Sequence, residues 1–237
     1  MKFLDKINSQ NGDVIILGSR PGVGKSQFLN YIIFQEIENS HIVYVTSQSK
    51  KSIFKKRLST LVPDIQKFED ERKIEIIDYT DIEFKSGVMI LDMFFGDNNK
   101  YPKGTIIFID YIQMLSSQPD STNSYRDIYN FINYSKECAV TGDFKIIVSS
   151  QLSRTVDSRT GCRPILSDYS GCSSLEEVPD HCLFLYRIDY YDPHDKPGLT
   201  EIIVAKSRGG NCGSISYLFD SKSGKFEEYE REGYISW

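Results

Sequence analysis

Asp13-Val14-Ile15-Ile16-Leu17 runs directly into Gly18-Ser19-Arg20-Pro21-Gly22-Val23-Gly24-Lys25-Ser26, and then into Gln27-Phe28-Leu29-Asn30-Tyr31-Ile32-Ile33. The first segment is short, apolar and rich in Ile, as a strand covered on both faces requires. The third carries a helical pattern. A glycine-rich loop ending in Gly-Lys-Ser between a strand and a helix is the context of a phosphate-binding loop. Backbone N–H groups of such a loop, with the helix N-terminus behind them, offer donors and positive partial charge to a phosphate. Ser19, Arg20, Pro21, Gly22, Val23, Gly24, Lys25 and Ser26 are therefore the candidate ATP-binding residues. Lys25 is expected to bridge the β- and γ-phosphates, and the Ser26 hydroxyl to ligate Mg²⁺. Ser19 stands where the strict pattern has Gly, and Gly18 is expected to absorb the turn.

Outward from this segment, apolar runs of strand length alternate with stretches of helix length. Asp13–Leu17, His41–Val45, Lys73–Ile77, Thr105–Ile109 and Lys145–Val148 read as strands, and helices are expected near 25–38, 50–60, 82–96 and 123–140. This alternation predicts an α/β fold, with a mostly parallel central sheet flanked by helices. Beyond residue 180, Cys182–Arg187, Leu199–Ala205 and Ser214–Phe219 are joined by short Gly, Pro and Asp turns and predict an antiparallel C-terminal edge. Ser116–Ser124 (SSQPDSTNS) is the most loop-like stretch, and no repeat or long linker divides the chain. One domain spanning 1–237 is expected.

Composition is that of an ordinary globular chain, with 40% hydrophobic and 26% charged residues among 237. No apolar run approaches the roughly 18 residues of a membrane span, and the N-terminus lacks the apolar core of a signal peptide. A cytoplasmic protein without membrane contact is the expectation. The five cysteines are widely spaced, without metal-ligand spacing, and are expected to be reduced and mostly buried. A net charge of −5 speaks against polyanion binding by the whole surface but leaves room for a local basic channel.

Thr105–Ile109 ends in Asp110, a carboxylate placed to hold Mg²⁺ through water opposite the loop. With that second motif, several stretches together resemble one family, the RecA-like ATPase domain of DnaB-type replicative helicases. The loop is similar to the family's small-Arg-Pro-x-x-Gly-Lys-Thr/Ser form, and Asp110-Tyr111-Ile112-Gln113-Met114-Leu115 to its Asp-Tyr-Leu-Gln-Leu-Met signature. Ser150-Gln151-Leu152-Ser153-Arg154, Arg163-Pro164, Ser167-Asp168 and Lys206-Ser207-Arg208-Gly209-Gly210 follow in family order. The resemblance covers about Leu4 to Phe226. It implies a RecA-like P-loop NTPase fold and a homo-oligomeric ring with ATP held between neighbours on single-stranded DNA. It also makes Gln151 a γ-phosphate sensor, and Lys206 and Arg208 fingers that enter the neighbouring subunit's site.

Three departures bear on activity. Where the family carries a glutamate that activates water, counting back from Arg57-Leu58 places Gln48, and His41 to Ser52 contains no acid. An amide orients water but accepts no proton. Hydrolysis is then slow, another carboxylate substitutes, or Gln48 is an engineered residue. In the expected channel loop, Ser170 stands for an Arg and Ser173 for a Gly, and Glu177 adds negative charge. Single-strand binding is expected to be weak. Finally, the chain begins about a dozen residues before its first strand, so the family's collar domain and linker helix are expected to be absent and the ring weakly held. Three readings stay open: a helicase ATPase domain, a hydrolysis-impaired ATP-binding regulatory or structural protein, and a RecA-like recombination or clock ATPase. Gln151, Lys206 and Arg208 favour the first.

Overall fold

Branched side chains in the Ile- and Val-rich runs favour extended backbone packed on both sides. In a computed structural model, describing residues 1–46, 50–79, 88, 91–92, 100–115, 122–169 and 173–229, these runs become strands. They are β1 (Val14–Ser19), β2 (Ile42–Thr46), β3 (Ile74–Asp78), β4 (Ile106–Asp110), β5 (Lys145–Gln151), β6 (His181–Arg187), β7 (Leu199–Ser207), β8 (Gly213–Phe219) and β9 (Phe226–Glu228). All join one sheet in the order β3-β2-β4-β5-β1-β6-β7-β8-β9. The helices named below are α1 (Phe3–Lys6), α2 (Lys25–Glu36), α3 (Lys51–Leu58), α4 (Ile65–Asp70), α5 (Thr122–Gly142) and α6 (Ser174–Glu177).

Alternation along each parallel strand sorts its residues onto two cores. Ile15, Leu17, Ile42, Tyr44, Phe108 and Ile147 face one side, where Phe3, Phe28, Leu29, Ile32, Phe54 and Phe68 of α1 to α4 cover them. Val14, Ile16, Val43, Ile107, Val148 and Phe184 face the other, beneath Ile128, Phe131 and Ile132 of α5. Burial on β7 alternates instead, as expected of strands near a sheet edge. An aromatic cluster binds the chain's ends onto α2. The Phe28 ring lies 4.9 Å from that of Phe3 and 5.2 Å from that of Phe226.

The α/β fold with an antiparallel C-terminal edge is as the sequence predicts, with differences in detail. β6 pairs parallel with β1, and the antiparallel part begins only at β7. The reason is the connection from β5, which crosses one face through 3₁₀ segments and α6 and so enters beside β1 in the same direction. β9, α1, α4 and α6 have signals too short to be read. The helix expected at 82–96 falls mostly outside the described residues, whereas 88, 91 and 92 are helical. The helix expected near 123–140 is α5, which begins at Thr122, inside the end of the stretch read as most loop-like. Of the four described cysteines, Cys138 and Cys182 are buried, but Cys162 is half-buried and Cys212 exposed. Cys212 lies just before β8, in the turn between the last long strands of the sheet, where the core does not reach. Among the described residues no helix is long and apolar enough to cross a membrane.

Candidate nucleotide site

Parallel packing brings the C-terminal ends of β1, β4 and β5 to one edge of the sheet. Ser19 pairs with Gln151 and Thr46 with Asp110, and in open α/β sheets this edge is where ligands bind. The loop after β1 turns through two glycines of positive φ, Gly22 at 80° and Gly24 at 116°, which side chains rarely adopt. Gly24 is the N-terminal cap of α2, so Lys25 and Ser26 open the helix. Gly18 does not absorb the turn. It is a β1 residue without positive φ. A Cβ there would come within 2.7 Å of both Leu152 Cδ2 and Tyr169 Cε1, so its role is close approach.

Ser19, Arg20, Pro21, Gly22, Gly24, Lys25, Ser26 and Gln27 line a cleft of about 600 Å³ with Tyr111 and Gln151. Val23 turns inward and is buried. Arg20 braces the loop from behind. Its guanidinium donates to both Asp157 carboxylate oxygens, at 3.1 and 2.8 Å, and to the Leu152 carbonyl at 3.0 Å. Arg187 supports the other flank by donating to the Val23 carbonyl at 3.3 Å. Neither brace can be read from loop spacing, because both partners lie far along the chain.

At the centre, Ser26 Oγ donates to Asp110 Oδ2 at 2.7 Å. Asp110 is 3% exposed and also accepts from Tyr44 Oη at 3.0 Å and from Ser149 Oγ. The Tyr44 phenol is held well above its usual range, first by burial and then by the Asp110 charge, so it stays protonated as a donor. Sequence reasoning missed Tyr44 and Ser149, since both sit inside apolar strand runs and resemble core residues there. The Lys25 ammonium lies 5.2 Å from the centre of the Tyr111 ring. Burial lowers its pKa, against the opposing charge of Asp110. Gln113 fixes the end of β5: its Nε2 donates to Ser150 Oγ at 2.8 Å and to the Gln151 carbonyl at 3.2 Å, and its Oε1 accepts from the Gln151 N–H at 3.1 Å. Gln48 lies outside the described residues, as do Ser170 and its neighbours to Cys172.

Lys206 and Arg208 are not brought to this cleft. β7 runs antiparallel to β6, and Ser207 pairs with His181, which in turn pairs with Ile15 at the start of β1. That end lies about 13 Å back along the strand from Ser19, at roughly 3.3 Å per residue. There the Lys206 ammonium donates to the carbonyls of Glu176 and Glu177, each at 2.7 Å, and Arg208 Nη2 donates to the Glu177 carbonyl at 3.1 Å. Burial, with Arg208 nearby, lowers the Lys206 pKa. Ser173, which caps α6, and Glu177, its last residue, are both exposed.

Known proteins resemble this chain in sequence and fold. A "Replicative DNA helicase DnaB" of Buchnera aphidicola subsp. Baizongia pistaciae is 28% identical over 250 residues, covering 95% of this chain and 53% of the relative. A "Probable plasmid replicative DNA helicase" of Chlamydia psittaci is 38% identical over 120 residues, 51% of this chain and 26% of the relative. The chain thus spans about half or less of the length of these relatives. Among solved structures, one described as an "ATPase Domain" superposes with a TM-score of 0.83 at 26% identity, covering 94% of this chain and 86% of that one. A DnaB-like replicative helicase studied with primase gives 0.82 at 26% identity, covering 93% and 58%. The fold is RecA-like, and the family described as "DnaB-like helicase C terminal domain" matches residues 96–228. With more than half of its length matched, this chain belongs to the DnaB-like helicase C-terminal domain family.

Proposed function

We propose that the chain is a DnaB-like helicase ATPase domain, a single unit over residues 1–237, that binds MgATP in the Ser19–Ser26 cleft. Hydrolysis would occur between neighbouring copies in a ring and be coupled to engagement of single-stranded DNA. The observation that carries this reading is the Ser26–Asp110 hydrogen bond of 2.7 Å beside Lys25, within a loop curved by two positive-φ glycines. A hydroxyl and a buried carboxylate so paired are the oxygen donors that Mg²⁺ selects. When bound, the metal supplies charge neutralisation on the phosphates.

The chain's own residues do the rest. Loop N–H groups and the start of α2 hold phosphate oxygens, and Lys25 offsets their charge from a site already partly desolvated. Tyr44 and Ser149 keep the Asp110 carboxylate oriented. Gln151, clamped by Gln113, is presented to the cleft as a sensor of the terminal phosphate. Lys206 and Arg208 stand at the far edge of the sheet, so their cations serve a neighbour's nucleotide and not their own. Relatives named as replicative helicases favour this reading over a hydrolysis-impaired regulatory protein on the same fold. The test is Lys25→Ala, which should abolish MgATP affinity in calorimetry while leaving the circular dichroism spectrum unchanged. Unaltered affinity would overturn the site.

A further inference from the structure

Asp180 is 4% exposed and lies far from the nucleotide cleft, at the start of β6. Its carboxylate gathers donors from three elements. Oδ2 accepts from the Val14 N–H of β1 at 2.9 Å and from the Lys136 ammonium of α5 at 2.7 Å. Oδ1 faces Arg208 Nη1 at 3.5 Å, and the Asp180 carbonyl accepts from the Arg208 N–H at 2.9 Å. Lys136 is in turn anchored on the Gly12 carbonyl at 2.8 Å. On the opposite side of the turn, the buried His181 ring bridges Asp13 Oδ2 at 3.1 Å and Ser207 Oγ at 3.0 Å. The backbone that carries Arg208 is thereby tied to β1, β6 and α5, while its side chain remains 56% exposed.

We infer that Asp180 is a positioning residue for the Lys206–Arg208 turn, aiming Arg208 at the nucleotide of a neighbouring copy. The inference rests on the composite site proposed above. A buried carboxylate held through one oxygen by hydrogen bonds from β1 and α5 is a stiff anchor, and an exposed guanidinium 3.5 Å from its other oxygen is held too weakly to be trapped. Asp180 thus fixes the base of Arg208 and leaves its tip free to change partners. The same turn holds the C-terminal carbonyls of α6, so a shift in that helix moves the cations too. Misplacement of a reacting cation by about 1 Å costs up to roughly 100-fold in rate.

A mixing experiment separates positioning from mere stability. Lys25→Ala subunits keep their finger and lose their site, and Arg208→Ala subunits keep their site and lose their finger. ATP turnover is measured for the mixture on single-stranded DNA, at protein concentrations where turnover no longer rises. Recovered turnover in this parent mixture is expected, and its absence would overturn the composite-site reading itself. Asp180→Asn is then placed in one partner at a time. In the finger-donating Lys25→Ala subunit it should cut the recovered turnover about 10–100-fold. In the site-donating Arg208→Ala subunit it should cost less than about twofold, because the finger it would aim is already gone. Equal losses in both positions, or none in either, would overturn the assignment. Asp180→Glu, which keeps the charge but displaces it by one methylene, serves if the Asn variant fails to fold, and the same asymmetry is expected.

Discussion

Lys25 shows how one residue carries opposed demands. Burial lowers its pKa, and the opposing charge of Asp110 offsets this only in part, so its ammonium weakens the nucleotide-free fold, whereas on the proposed function it would strengthen the bound one. The folded chain gives up this proton more readily than the unfolded chain. The penalty is therefore complete below the lowered pKa, and fades as pH rises towards the ordinary lysine value of 10.5. Lys25→Met should raise the melting temperature of nucleotide-free protein at neutral pH, with the gain shrinking in alkaline buffer. A gain independent of pH in thermal scans would contradict this origin. Gln48 poses the complementary question. It lies outside the described residues, two places after Thr46, which pairs with Asp110. If its position is that of the water-activating base, Gln48→Glu should raise ATP turnover by about 10²–10⁴-fold, the usual worth of such a base. Adding Arg208→Ala should erase that gain, since both serve one site. Turnover indifferent to Gln48→Glu in an assembled ring would place the base elsewhere.

At the scale of elements, the loop depends on its packing against β5 and the segment after it as much as on its own glycines. Gly18 lets Leu152 and Tyr169 close over β1, and Tyr169 Oη donates to the Leu183 carbonyl at 2.9 Å and to that of Ile16 at 3.3 Å. Gly18→Ala should cost about 1–3 kcal/mol, as overpacking of a filled core does, read as a lowered denaturation midpoint. Nucleotide affinity should fall with it, because Arg20 reaches the Leu152 carbonyl and transmits the displacement to the loop. Wild-type stability in the Ala variant would mean that Leu152 and Tyr169 repack at no cost. The same view explains which elements were legible. β1, β2, β4 and β5 declare themselves as apolar runs because both faces are buried. β9, with one buried residue of three, carries no such signal.

For the whole molecule, the separation of cleft and finger turn has a consequence for assembly. On the composite site proposed above, nucleotide bound at one edge of a chain's sheet would meet the cations at the opposite edge of its neighbour's. Association should therefore strengthen with a slowly hydrolysed ATP analogue and Mg²⁺, since a ligand that binds only the assembled form stabilises it by mass action. Sedimentation should show this shift in the native chain, none in Lys25→Ala, and a smaller one in Arg208→Ala. An assembly equally stable without nucleotide would show that other surfaces hold the copies together. Binding of single strands should be sequence-independent and fall steeply with salt, as backbone contacts dictate.

Sequence alone was enough for the parallel sheet, the loop and the identity of the groups in the cleft. Lys25, Ser26, Asp110 and Gln151 are legible because each follows a strand whose apolar run places its end at one edge of a parallel sheet. What supports them emerged only with tertiary packing. Tyr44 and Ser149 reach Asp110, and Arg20 reaches Asp157, across 66, 39 and 137 positions. Local pattern records a residue's own backbone and face, whereas these contacts arise from strand order. The same limit placed β6 parallel to β1, where short turns suggested an antiparallel edge. It also hid Asp180, whose partners in β1, α5 and the turn after β7 meet only once the sheet is assembled.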